Sequence, residues 1–503
     1  MTSIDDTSGR PTNSRVLIPT LVAVCTVSAI VSSVGAPLTP TVAISYGVSF
    51  SAAQWTLTIT MLVGAVTVPV LSRLGDGPHR RPVVLVALLV VLIGCVLASV
   101  PGNFTVLLIG RALQGIGLGL APLAMAIASD HLSPTRARTS IAALSVTAVA
   151  GIGLGYPLTG VIANFWGYHA CFAVASVATL AVLIASAFAI PSSGHLPRRR
   201  LDFTGALILG SGLSLALIAV STGGQWGWLS LYTIGCFSLG ALTLCLWTVH
   251  ELRCAQPLVE LRLLANRSVL TADATGLFAG IGMFVLWSSV IRFVQTPTDT
   301  GYGLGRSAMA AGLVLVPFSL ASIFANRLLP VLARGIDKRL IMPIGSTAFV
   351  LALVLFVFGR GDLWVIFVLM GVAGLGLGFT FAVMPAFIVN AVPTHETGSA
   401  LGLNQVSRTV GSAIGSALSA TVLASFTSQG QLYPDNAGFT ATTVVGIGLW
   451  IGTAGLALLL SYTGQRVDDV PESLVDDSVG SATTGSFAYD TECHVDASNG
   501  GER

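Results

Sequence analysis

The sequence predicts an all-α membrane protein of fourteen transmembrane helices: two six-helix repeats with two further helices inserted between them. Three observations predict it. Only 9% of the 503 residues are charged while 53% are hydrophobic, with a mean hydropathy of +0.84; soluble chains carry about 25% charged residues. Too few charges remain to solvate a globular surface. Apolar runs of about 20 residues, the length that crosses a hydrocarbon core, recur along the chain. The basic residues fall on alternate connections between those runs.

In order, the spans are expected at 16–36, 55–72, 83–100, 104–128, 140–162, 169–190, 204–221, 230–249, 268–293, 308–327, 341–359, 363–388, 399–426 and 440–463. The opening segment, MTSIDDTSGRPTNSR, is polar and leads directly into a run of spanning length, unlike a signal peptide. With the N-terminus inside, nineteen basic residues fall on inner segments and two, Arg306 and Arg360, on outer loops; Arg111, Arg292 and Arg408 lie within spans. That asymmetry orients the chain, and a miscount by one helix would scramble it. Trp55, Trp166, Trp226, Trp228 and Trp364 lie near outer span ends, as interfacial anchors do.

Lys338 is the only lysine, the kind of bias expected of a GC-rich bacterial genome. Five of the seven cysteines fall in apolar spans, with no CxxC and no Cys/His cluster, so neither disulfide nor metal site is expected. Residues 464–503 carry nine acids and two arginines among Ser, Thr and Gly. They read as a disordered cytoplasmic tail, either a regulatory arm or a dispensable solvated end. The chain thus divides into a cytoplasmic segment (1–15), a six-helix bundle (16–190), two inserted helices with their linkers (191–267), a second bundle (268–463) and the tail.

The repeat is read from matching features at matching positions. GIGLG at 115–119 in the fourth span returns as GLGLG at 374–378 in the twelfth. Gly151 and Gly155 in the fifth are matched by Gly411 and Gly415 in the thirteenth. Basic inner loops, RLGDGPHRR and RLLPVLARGIDKR, follow the second and the tenth. Internal repeats with the substrate site at their interface are how secondary transporters are built. GIGLG lacks the strand and acid of a nucleotide-binding fingerprint; in an apolar span, Gly115 and Gly117 serve close helix packing instead.

These motifs resemble the major facilitator superfamily, in its fourteen-helix drug:proton antiporter branch, over residues 15–465. SRLGDGPHRRP (72–82) is similar to the superfamily's Gly-x-Leu-x-Asp-x-x-Gly-Arg-Lys/Arg loop through Leu74, Asp76, Arg80 and Arg81, with Ser72 and His79 replacing its glycines. RALQGIG (111–117) resembles the branch's fourth-helix Arg-x-x-Gln-Gly-x-Gly pattern. GIGLGYPLTG resembles its fifth-helix antiporter motif at Gly151, Gly155 and Gly160, with Tyr156 where proline is usual. HETGSALGLNQVSRTVGSAIG resembles its thirteenth helix, including Asn404, Arg408 and Gly411. The branch carries a first-helix aspartate; the matching stretch here, AIVSSVGAPLTPTV, has no acid. The resemblance implies a proton-driven bacterial inner-membrane exporter, monomeric, with no cofactor beyond the proton and no nucleic-acid partner.

The charged residues supply candidates for mechanism. Asp76, Arg80 and Arg81 form a candidate ion-pair latch, made in one state and broken in the other, or else a solvated loop. Arg111 lies about seven residues into its span, roughly 10 Å along the helix. It either tunes a nearby acid or substrate from a polar cavity, or pairs with backbone carbonyls. Asp273 is the acid most clearly placed within a span, and a buried carboxylate there can load and release a proton; otherwise it caps its helix or pairs with Arg267. Arg408 completes the coupling candidates. Gln114, Met125, Tyr156, Phe284, Trp287, Phe381, Met384 and Asn404 are candidate cavity linings, or ordinary packing. Export of amphipathic compounds is the leading reading; transport of one specific metabolite or lipid, and a non-transporting sensor or scaffold, are the alternatives. The sequence holds no HExxH, GxSxG or Walker loop, so an enzyme is not expected.

Overall fold

The computed structural model describes residues 14–35, 38–48, 50–75, 79–100, 102–191, 201–254, 257–259, 261–337, 340–392, 397–427 and 433–463. The expected tail, nearly all of segment 1–15, and Asp76 of the expected latch lie outside these residues.

The described chain is helical throughout its long elements: α1 Ser14–Ser33, α2 Phe50–Gly75, α3 Arg80–Ser99, α4 Phe104–His131, α5 Pro134–Trp166, α6 Tyr168–Ala189, α7 Phe203–Trp226, α8 Leu231–Arg253, α9 Arg267–Gln295, α10 Met309–Gly335, α11 Ile341–Gly359, α12 Leu363–Ala391, α13 Thr397–Ser425 and α14 Asn436–Thr463. Thirteen of these are long and apolar enough to cross a membrane. The exception is α13, the expected thirteenth span. Its 29 residues suffice in length and include one charge, Arg408, but Ser, Thr, Asn and Gln lower its hydropathy. Such a composition suits a helix that faces protein instead of lipid.

Local chemistry sets many helix starts. Asn103, Asp202, Ser230, Asn266 and Ser307 each accept a backbone N–H of the first turn that follows, satisfying donors a helix leaves orphaned. A short helix, Thr39–Tyr46, not expected from hydropathy, fills the connection between α1 and α2 and ends at Gly47 with φ of 62°. The fourth span is continuous in direction but not in geometry. It tightens to a 3-10 turn over Ile116–Gly119, where three glycines in five residues weaken the α-helical preference.

Packing repeats at an offset of eight helices. In the first half α1 packs on α5 and α6, α2 on α4, and α3 on α4 and α6. In the second, α9 packs on α13 and α14, α10 on α12, and α11 on α12 and α14. The halves meet through the equivalent pairs α2/α13 and α10/α5, and through α4/α13 and α12/α5. Small residues make the closest approaches. A Cβ at Gly151 would lie 2.7 Å from Ala29 Cβ, and one at Gly155 3.2 Å from the Ile30 carbonyl oxygen; Gly411 and Gly415 press on the Leu277 and Ile281 carbonyl oxygens. Gly115 is pressed against Thr60 in the same way, while Gly117 and Gly160 have ordinary contacts at 3.4 and 3.5 Å.

The inserted helices α7 and α8 pack on each other, and α7 also on α2 and α13. Their outer faces expose Leu207, Tyr232, Leu239 and Leu246, a lipid-facing composition.

Candidate functional site

Two buried clusters carry the intramembrane charges. The first surrounds Arg111 on α4, which is fully buried. Its Nε donates to the Thr56 carbonyl at 2.9 Å, Nη1 to the Val31 carbonyl at 3.0 Å and to Gln114 Oε1 at 2.6 Å, and Nη2 to the Ser32 carbonyl at 3.0 Å. Val31 and Ser32 belong to the last turn of α1, where a helix leaves carbonyls short of donors and carries partial negative charge. The guanidinium therefore caps α1 while binding α2. Gln114 Nε2 extends the network to the Gly94 carbonyl of α3 at 3.2 Å, and Thr60 Oγ1 donates to the Arg111 carbonyl at 3.0 Å. Of the two readings of Arg111, carbonyl pairing is the arrangement in the structure.

The second cluster lies where the halves meet. On α13, Asn404 and Arg408 are one turn apart and share a face. Asn404 Nδ2 donates to Asp273 Oδ1 at 3.0 Å, to the Ala272 carbonyl at 3.3 Å and toward Met384 Sδ at 3.4 Å. Asp273 is 6% exposed, and its Oδ2 has no hydrogen-bond partner. Its partner is thus Asn404 and not Arg267. Arg408 is 7% exposed, sits 3.8 Å from the centroid of the Phe381 ring, and reaches Ser145 Oγ of α5 only at 3.4 Å. Among the described residues no carboxylate lies within ion-pairing distance of Arg408 or Arg111.

Arg408, Asn404, Gln405, Met125 and Ser145 line a cavity of about 10 Å3, room for one water molecule at most. Drug-sized ligands need roughly 300 Å3 or more, so the halves must part for substrate to enter. Both ends of the interface are in contact here. Arg138 Nη2 of α5 donates to Asn390 Oδ1 of α12 at 3.4 Å. At the opposite end, a Cβ on Gly312 of α10 would lie 3.3 Å from Pro157 Cα of α5.

The candidate linings fall into three places. Met125, Phe381, Met384 and Asn404 surround Arg408 and Asp273. Tyr156, Phe284 and Trp287 form an aromatic group with Phe318, the Trp287 ring 6.3, 5.4 and 5.2 Å from its three neighbours in that order. Gln114 belongs to the Arg111 network. Of the latch candidates, Arg80 is buried, donates to the Gly75 and Ala126 carbonyls, and pairs with Asp130 at 3.4 Å; Arg81 donates to the Ala187 carbonyl at 2.6 Å. Asp130 was visible in sequence as the acid closing α4, but nothing local ties it to Arg80, fifty residues earlier. Ser145 and Gln405 carry no sequence signal that separates them from other small or polar residues in spans.

A helical repeat, a half-to-half interface and buried polar groups at that interface define a multi-pass membrane transporter. A family model described as the Major Facilitator Superfamily matches residues 20–416, and the chain belongs to that superfamily, whose members are transporters and not enzymes. It is 27% identical over 399 residues to the multidrug resistance protein Stp of Mycobacterium tuberculosis, covering 77% of this chain and 72% of that protein. It is 26% identical over 383 residues to multidrug resistance protein 3 of Bacillus subtilis, covering 74% and 73%. It is 28% identical over 443 residues to the cephamycin export protein CmcT of Amycolatopsis lactamdurans, covering 85% and 90%. The crystal structure of the human organic anion transporter MFSD10 superposes with a TM-score of 0.62 at 16% identity, over 88% of this chain and 99% of that one, a likeness of fold.

Proposed function

We propose that the protein is a proton-coupled exporter of hydrophobic or amphipathic small molecules. It works by alternating access as a monomer in a bacterial plasma membrane, with both termini and the basic loops in the cytoplasm and the proton as its one coupling ion. The observation that carries this reading is Asp273, a buried carboxylate held by Asn404 on one oxygen and without a partner on the other, beside the interface cavity. An intramembrane carboxylate at such an interface can take up a proton from one side and release it to the other as the halves open in turn. Arg408, one turn from Asn404 on α13, supplies the positive charge that lines the same cavity. Arg111, with no carboxylate within ion-pairing distance among the described residues, has a structural role; Arg80, Arg81 and Asp76 form the latch at the basic end. The multidrug-resistance names of two relatives support the broad substrate class.

The test is ethidium accumulation in an efflux-deficient host, with and without a protonophore. Wild type is expected to lower accumulation, the protonophore to abolish this, and Asp273→Asn to match the empty vector. A mutant that pumps at the wild-type rate removes Asp273 from the mechanism. A second reading, export of one specific metabolite, is favoured by the match over 90% of the cephamycin exporter and by the missing first-helix acid. It predicts no effect on ethidium but export of a single secondary-metabolite class.

A further inference from the structure

Away from the transport cluster, at the basic end of the inserted hairpin, the N-cap of α7 meets the last turn of α8. Asp202 Oδ1 accepts from the Gly205 N–H at 2.9 Å, and Oδ2 lies 2.7 Å from His250 Nε2. Cys254 follows His250 by four residues, on the same side of the helix end, and brings its thiol to the same carboxylate. One ligand atom from each of Asp202, His250 and Cys254 lies within 4.8 Å of the others. A second carboxylate, outside that group of three, stands behind them. Glu251 is 2% exposed; one oxygen accepts from the Val259 N–H, and Oε2 has no hydrogen-bond partner. That oxygen converges with Asp202: a Cβ at Gly205 would lie 3.0 Å from both Glu251 Oε2 and Asp202 Cγ.

An Asp–His pair alone accounts for the 2.7 Å contact but leaves a thiol at its side and a buried carboxylate oxygen with no donor, which is costly. We propose that Asp202, His250 and Cys254, with Glu251 behind them, form a binding site for Zn2+ or a divalent cation of similar softness. Thiolate and imidazole together select such an ion over Mg2+ or Ca2+. The His250 side chain is 33% exposed, which gives the ion an entry path. Loading displaces the thiol proton, and the imidazole proton where present, into solvent. The ion ties the start of α7 to the end of α8. Because α7 packs on α2 and α13, it also braces the hairpin against the interface of the halves.

The experiment is a Co2+ titration of untagged full-length protein in detergent, followed by Zn2+. A Cys493→Ser, His494→Ala background removes the adjacent thiol and imidazole of the tail. The expected result is one equivalent of cobalt with thiolate-to-cobalt charge-transfer absorption and tetrahedral d–d bands, both bleached by zinc. Cys254→Ser loses the charge-transfer band; His250→Ala keeps it but binds more than about tenfold more weakly; Cys245→Ser, an exposed thiol on the same helix, changes nothing. No thiolate band in the unsubstituted ligand set, or a band that survives Cys254→Ser, overturns the site. Should Cys254→Ser not fold, unchanged affinity in both His250→Ala and Glu251→Gln overturns it equally.

Discussion

Arg111 and Arg408 are the same side chain at nearly the same burial, and they are held in opposite ways. Arg111 places four hydrogen bonds on three carbonyls and one amide at 2.6–3.0 Å. Arg408 has an aromatic face and one hydroxyl at 3.4 Å. The first is a structural cap that satisfies a broken helix end. The second is a cation with one long side-chain hydrogen bond and an aromatic face, lining the small interface cavity one turn from Asn404, which holds Asp273. An intramembrane charge is therefore not by itself a sign of mechanism; the number of its acceptors is what sets the two arginines apart.

The largest expected effect breaks the first arrangement. Arg111→Ala strands the carbonyls of Val31, Ser32 and Thr56 and is expected to cost about 3–5 kcal/mol, seen as lost membrane yield and a lowered Tm in detergent. Arg111→Lys should fail nearly as badly, because a single ammonium cannot span acceptors on two helices. A lysine variant with wild-type Tm would erase the distinction. Next, Gln114→Leu removes one acceptor and the link to Gly94, at about 1–3 kcal/mol, read from the same melts. Arg408→Ala inverts the pattern: about 1 kcal/mol or less in stability, since little satisfied bonding is lost, but more than about tenfold loss of protonophore-sensitive efflux. Ser145→Ala, which removes a long hydrogen bond, should move Tm by under about 0.5 kcal/mol equivalent and leave most efflux intact. If Ser145→Ala were as damaging as Arg408→Ala, the pair would be a fixed contact.

The helices were legible because bilayer thickness imposes a length and a composition that hydropathy reads directly. The limits were less so: α10 runs to Gly335 and α5 starts at Pro134, since long helices project past the apolar run that marks them. The 3-10 turn in α4 hides inside an apolar stretch, and GIGLG announced packing without announcing the break. In the sites, Arg111 and Gln114 were readable together at i, i+3. The carbonyls that hold Arg111 were not, because every residue has one and only the fold selects Val31, Ser32 and Thr56. Asp273 and Asn404 are 131 residues apart, and no periodicity connects them. His250 and Cys254 stood four apart in plain view, but Asp202 lies 48 residues before His250, so the group did not read as a cluster.

The Arg111 network joins α1, α2 and α4 directly, and α3 through Gln114. Four of the six helices in the first half are thus knotted at one point by bonds that cannot be given up singly without exposing a charge. A body tied in that manner is expected to move as one piece. Access to the space beside Arg408 is then expected along the seams α2/α13 and α5/α10, with the arginine that seemed a burden in the bilayer as the pin that keeps the first half whole.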